Sequence, residues 1–174
     1  MGAGKSTVAR LLAARLGCDA VDTDDLVEGD RGLAVAELFA QEGEGAFRRA
    51  ESEALRRLAS VRGPLVVSVG GGAVLDGENR AAMRAMGVVI WLRARPETLA
   101  ERVGEGRDRP LLSGLAGGPR GRGGVAEALG RLAEKRRVFY EEVADVIVDV
   151  DGIPAEAVAD LVLAGVGDLA RQAE

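Results

Sequence analysis

At 174 residues, with 47% apolar and 29% charged side chains, the chain has the composition of one soluble globular domain with room for a sizeable core. A net charge of −5 without an aromatic-interleaved basic patch argues against a nucleic-acid binder, and no run approaches the ~18 apolar residues of a membrane span. The absence of histidine excludes zinc–histidine sites and Ser-His-Asp triads, and the lone Cys18 allows no internal disulfide, which suits the cytoplasm.

The chain opens on Met1-Gly2-Ala3-Gly4-Lys5-Ser6-Thr7, the second half of a phosphate-binding P-loop. Glycines let successive backbone N–H groups face one concavity, and the helix that follows turns its positive end to the same spot. The Lys5 ammonium then reaches the terminal phosphates and the Ser6 hydroxyl ligates Mg2+. Only Lys5 and Lys135 are lysines in a chain that otherwise uses arginine, and one of them stands in this slot. The full template also asks for a glycine six positions before Lys5 and a buried strand ahead of it. Neither stands in the sequence. The expectation is that Met1 is internal to the loop and that the natural chain starts upstream with an apolar strand.

Val8, Leu11, Leu12 and Leu16 recur at helical spacing, so a helix is predicted over about 5–16, ended by Gly17. Cys18–Val21 reads as a strand running into Asp22-Thr23-Asp24-Asp25. The carboxyl end of a strand is where ligands sit in an open α/β sheet. Asp22 and Asp24 are the functional candidates there, and Asp25 is taken as the cap of the next helix. Helical pieces follow to about 42, then a longer helix after Gly43-Glu44-Gly45 with Phe47, Ala50, Ala54, Leu55, Leu58 and Val61 as its buried stripe. Arg48 flanks that stripe. It is either a ligand group or one half of a surface pair with Glu51.

Pro64–Val69 is a near-continuous apolar strand of the buried parallel kind, ending in Gly70-Gly71-Gly72, where a ligand could approach main-chain N–H groups closely. A helix over about 77–86 leads to the strand Val88–Leu92, with Trp91 in the core, and Pro96 opens a helix to about 105. Residues from about 107 to 124 are rich in glycine and carry Arg107, Arg109, Arg120 and Arg122; over a phosphate site this segment reads as a closing lid. The next helix, about 125–142, buries Val125, Ala128, Leu129, Leu132 and Phe139. Arg136 falls on that same stripe, and a buried arginine needs an anion. Val146–Val150 is the last strand, and Pro154 starts a final helix with Val158, Leu161, Val162, Val166 and Leu169 facing in. Strands alternating with helices around a P-loop predict an α/β fold, a doubly wound parallel sheet with helices on both faces.

In this order and spacing, Gly2–Thr7, Asp22-Thr23-Asp24, Phe47-Arg48 with Glu51, Gly70-Gly71-Gly72, Arg109-Pro110-Leu111-Leu112 and Arg136 four residues before Tyr140 resemble the shikimate kinase family over essentially the whole chain. The resemblance implies a single P-loop kinase domain over 1–174, lacking the family's first, central strand, that phosphorylates the 3-hydroxyl of shikimate with ATP and Mg2+. It implies that Gly2, Ala3, Gly4, Lys5, Ser6 and Thr7 cradle the ATP phosphates, with Ser6 on the metal and Asp22 supporting it through water. Asp24 would bind the substrate hydroxyls and orient the attacking one. Arg48, Arg136 and the Gly71–Gly72 backbone would hold the carboxylate, Arg109 would swing in with the lid onto the γ-phosphate, and Arg102 would lie along adenine. The expected partners are ATP and shikimate alone, on a cytoplasmic monomer. The rivals are another kinase of the same fold, of gluconate or nucleotide type, and a truncated inactive ATP-binding remnant. Two carboxylate-binding arginines beside a triple glycine favour a small polyhydroxylated acid.

Overall fold

The structure, a computed structural model, describes residues 2–103 and 121–172. Its elements run α1 (Lys5–Leu16), β1 (Asp19–Asp22), α2 (Thr23–Arg31), α3 (Val35–Leu58), β2 (Leu65–Ser68), a 3₁₀ turn (Ala73–Leu75), α4 (Gly77–Met86), β3 (Ile90–Arg93), α5 (Pro96–Val103), α6 (Gly121–Val143), β4 (Val146–Asp149) and α7 (Ala155–Gln172). All strand pairings are parallel, as strand–helix–strand crossovers dictate.

Among the described residues the strands make two parallel ladders, the arrangement left when the central strand that the resemblance implies is absent from the sequence. β1 pairs with β2 in the register Asp19↔Leu65 through Asp22↔Ser68, and β3 pairs with β4 from Ile90↔Val146 through Arg93↔Asp149. Between the inner strands β2 and β3 lies a cavity of about 780 Å3, walled by Val8 and Leu12 of α1, Val66 of β2, Ile90 and Leu92 of β3 and Val162 of α7. Helix α1 bridges the two halves, touching β1 and β2 on one side and α7 on the other.

The apolar stripes found partners much as their spacing required. Val8 and Leu12 pack with Val148, Val150, Val158, Ala159 and Val162, and Val27 and Leu38 close over Phe47, Ala50 and Ala54. Ala100 of α5 meets Val125, Ala128 and Leu129 of α6. Leu38 and Leu55 are fully enclosed, each contributing about 1.5–3 kcal/mol of burial. Leu16, Val61 and Leu161, placed on buried stripes by periodicity, are exposed; Leu16 and Val61 line the cavity between the ladders.

Several boundaries moved for local reasons. The cap of α2 is Asp22, whose side chain accepts from the Asp24 N–H, so Asp25 is not the cap and Asp24 stands in the first helical turn. The break expected at Gly43-Glu44-Gly45 is present but narrows to Gly43, whose φ of 81° admits little but glycine, so α3 is two helical pieces meeting at that kink. Helix α6 begins at Gly121, inside the stretch assigned to the lid. Arg107, Arg109 and Arg120 lie outside the described residues.

Candidate functional site

Two loops at the carboxyl ends of β1 and β2 carry the site, and the parallel register decides how they meet. With Asp22 opposite Ser68, the next residues on each chain, Thr23–Asp24 and Val69–Gly70, run side by side. The fully buried Thr23 fixes this by accepting from the Gly70 N–H at 3.0 Å. Asp22 Oδ2 accepts from Ser6 Oγ at 2.6 Å and from Ser68 Oγ at 2.8 Å, while its Oδ1 accepts from the Asp24 N–H at 3.0 Å. The acid is thus committed on both oxygens and ties the start of α1 to both strands.

The P-loop segment is shaped by glycine. Gly2 (φ 74°) and Gly4 (φ 82°) are left-handed, and Gly4 caps α1 by accepting from the Val8 N–H. A methyl group on Gly2 would press on the Leu99 carbonyl oxygen and the Val103 side chain at 3.0 Å, so α5 sits directly behind the loop. Arg102 reinforces that contact, donating to the Val150 carbonyl at 2.9 Å and reaching the Gly2 carbonyl at 3.5 Å. Lys5 and Ala3 face the cavity between the ladders.

Around Gly70-Gly71-Gly72 five side chains converge. A methyl at Gly70 would overlap Glu51 Oε1 and approach Asp24 Oδ1 at 3.2 Å; one at Gly72 would overlap the Arg48 guanidinium. A methyl at Gly71 would sit 3.0 Å from the Tyr140 hydroxyl and 3.8 Å from Arg136 Nη1. Glycine is required here for close approach. Arg48 donates to Glu51 Oε2 at 2.7 Å and to Glu44 at 3.1 Å, and its guanidinium lies 5.1 Å from the Phe47 ring.

The pair of Arg48 with Glu51 was weighed above as a surface contact. It is instead half inside the protein, because the Glu51 side chain is wholly buried while that of Arg48 keeps 23% exposure. Burial holds the Glu51 carboxyl above the usual glutamate range, against the opposing pull of Arg48. Arg136 is buried to 8% exposure, as its place on the α6 stripe predicted, and has no salt-bridge partner among the described residues. Tyr140, one turn further along α6, donates to the Gly71 carbonyl at 2.6 Å.

Sequence reasoning brought Asp22, Asp24, Arg48, Gly71, Gly72 and Arg136 to the page, and the structure gathers the last five around one loop, with Asp22 tied to Ser6 beside it. It missed Glu51 and Tyr140 as members. The signal was available: Glu51 is four residues after Phe47, and Tyr140 four after Arg136, on stripes already identified as buried.

Chemically, the arrangement offers a glycine-shaped turn at a helix N-terminus, a hydroxyl held by an acid, a carboxylate at the loop's edge, and two guanidinium groups beside a close-approach loop. The family model for shikimate kinase matches residues 1–166. Shikimate kinase of Symbiobacterium thermophilum is 52% identical over 153 residues, spanning 87% of this chain and 83% of that protein. Shikimate kinase of Moorella thermoacetica is 46% identical, spanning 91% and 86%. Among solved structures, shikimate kinase from Acinetobacter baumannii in complex with shikimate superposes with a TM-score of 0.84 at 33% identity, covering 94% of this chain and 86% of that one. The Aquifex aeolicus shikimate kinase gives 0.80 at 30% identity, covering 98% and 94%.

Proposed function

The chain belongs to the shikimate kinase family, and on that premise we propose that it transfers the γ-phosphoryl group of ATP to the 3-hydroxyl of shikimate, giving shikimate 3-phosphate and ADP. The observation that carries the acceptor is Arg136, a buried guanidinium without a salt-bridge partner among the described residues, set 3.8 Å from a Gly71 methyl position beside Arg48. A buried cation of this kind calls for an anion, and a planar carboxylate fits two guanidinium forks.

In this reading Gly2–Thr7 hold the ATP phosphates and Lys5 balances their charge. Asp24, at the Gly70 edge of the loop, receives the acceptor hydroxyl and orients its oxygen toward the γ-phosphorus. Arg48, Arg136 and the N–H groups of Gly71 and Gly72 hold the carboxylate. Arg109 closes over the γ-phosphate, and Arg102, which ties the loop to the end of β4, lies along adenine. Such catalysis is mostly positioning and charge stabilisation, which the site supplies from rigid elements.

The donor set suits Mg2+. Ser6 Oγ spends its proton on Asp22, leaving its lone pairs for a hard cation, and Asp22 stands behind it as a positioning group. When bound, Mg2+ neutralises charge on the β- and γ-phosphates.

The same reading takes residues 1–174 as one kinase domain, a cytoplasmic monomer acting on ATP and shikimate without nucleic-acid or membrane partners. No described helix is long and apolar enough to cross a membrane. The test is ADP release with Mg2+ and shikimate, set against gluconate and a nucleoside monophosphate as acceptors. Release that depends on shikimate alone is the expected result. Release with another acceptor, or none from folded, ATP-bound protein, overturns the assignment.

A further inference from the structure

We propose that Tyr140 is a positioning residue: it clamps the Gly70–Gly72 loop in the orientation that receives the acceptor's carboxylate. The inference rests on the carboxylate assignment just made and adds to it the device that keeps the loop competent.

A run of three glycines cannot hold its own shape, because glycine has more conformational freedom to lose than any other residue. Something outside must set it. The phenol of Tyr140 donates to the Gly71 carbonyl at 2.6 Å, and burial pushes its pKa up against the pull of Arg136, so it stays a proton donor. The ring is fixed as well: it stacks on Trp91 of β3, centroids 5.2 Å apart and planes within 20°. Trp91 is itself held in the β3–β4 ladder opposite Ile147. The stack sets the ring plane and the hydrogen bond sets its tip.

The peptide linking Gly71 to Gly72 is planar and trans, so fixing its carbonyl fixes the Gly72 N–H on the opposite side. The Arg48 guanidinium lies against Gly72, where any methyl would overlap it. The loop is therefore gripped between α6 through Tyr140 and α3 through Arg48. Arg136 and Tyr140 share one face of α6 at four-residue spacing, so the same helix delivers a carboxylate ligand and the clamp on the backbone beside it. Without the clamp, apparent affinity for the acid falls in proportion to the receptive fraction of the loop.

The experiment uses Tyr140→Phe, which keeps ring and stack and removes the hydroxyl that donates to Gly71 and faces Arg136. Arg136→Lys in the same background separates the two, because a loss that persists there with the same ratio belongs to the Gly71 clamp. Two acceptors are compared: shikimate and its analogue with the carboxylate reduced to a hydroxymethyl group. The KM for shikimate is expected to rise about tenfold, the ratio set by one lost buried hydrogen bond, with kcat and the KM for ATP within about twofold. The analogue should lose no more than about twofold, so the preference for the acid narrows. An unchanged preference, or equal losses on both acceptors, overturns the proposal. Should Tyr140→Phe fail to fold, Trp91→Leu, which frees the ring but keeps the hydroxyl, carries the same test: a narrowed preference supports it and an unchanged one refutes it. A wild-type enzyme indifferent to the two acceptors overturns instead the carboxylate assignment beneath it.

Discussion

Arg136→Met separates binding from folding in a single variant. The wild-type guanidinium is buried to 8% exposure with no carboxylate bridging it among the described residues, so its desolvation cost is offset there only by the Tyr140 hydroxyl and the more distant Glu51 carboxyl. Methionine fills similar volume without charge. The free variant should therefore unfold at or above the wild-type temperature; for a chain of this size each kcal/mol moves Tm by about 2–4 °C. Acid binding should move the other way. Losing a charge-assisted, two-pronged contact while Arg48 keeps its own costs about 3–4 kcal/mol, a fall of roughly 10²- to 10³-fold in kcat/KM for shikimate. Coupled ADP release at varied shikimate and fixed ATP, then the reverse, reads this directly, with the KM for ATP expected within about twofold. A Tm lowered by several degrees together with equal losses for both substrates would refute the reasoning. Arg136 would then be holding the fold.

Asp24→Asn should lower kcat by about 10²- to 10⁴-fold while nucleotide titration gives an unchanged ATP affinity; turnover within tenfold of wild type would remove Asp24 from the acceptor role. Glu51→Gln tests the buried carboxyl. Because its pKa is raised on folding, the native state keeps the proton to higher pH than the unfolded chain does. Its contribution is fully present below the unfolded glutamate value and is lost as pH rises through the folded one. Urea midpoints taken upward from about pH 4.5, near the ordinary glutamate value, should fall in wild type and lie flatter in Glu51→Gln; parallel curves would show that Glu51 does not titrate there.

What the residues disclosed follows from how local each signal was. The P-loop, the apolar strands and the Arg136 stripe are short-range patterns, and each appears where its spacing put it. Asp25 was taken for a cap because four acidic or capping residues follow one another from Asp22; only the strand register, which sets Asp22 opposite Ser68, shows which of them turns back on the helix. Glu51 looked like a surface partner since an i,i+3 pair is identical on paper whether its helix face is wet or dry. Burial by the glycine loop, far away in sequence, decided it. The division of the strands into two ladders was legible only through the family resemblance, which places a central strand where this sequence has none. Each strand reads as buried and parallel, and nothing in a strand names its neighbour.

The gap between the ladders bears on how the acceptor loop is held. With no ladder joining β2 to β3 among the described residues, the halves are held by helix packing through α1 and by side-chain ties such as Tyr140 to Gly71. An apolar strand laid in the cavity between β2 and β3 would pair with both and join the two ladders in one sheet. The acceptor loop stands on one unit and Trp91, which steadies it, on the other. A strand seated between them would steady both and tighten the grip on the acid at once.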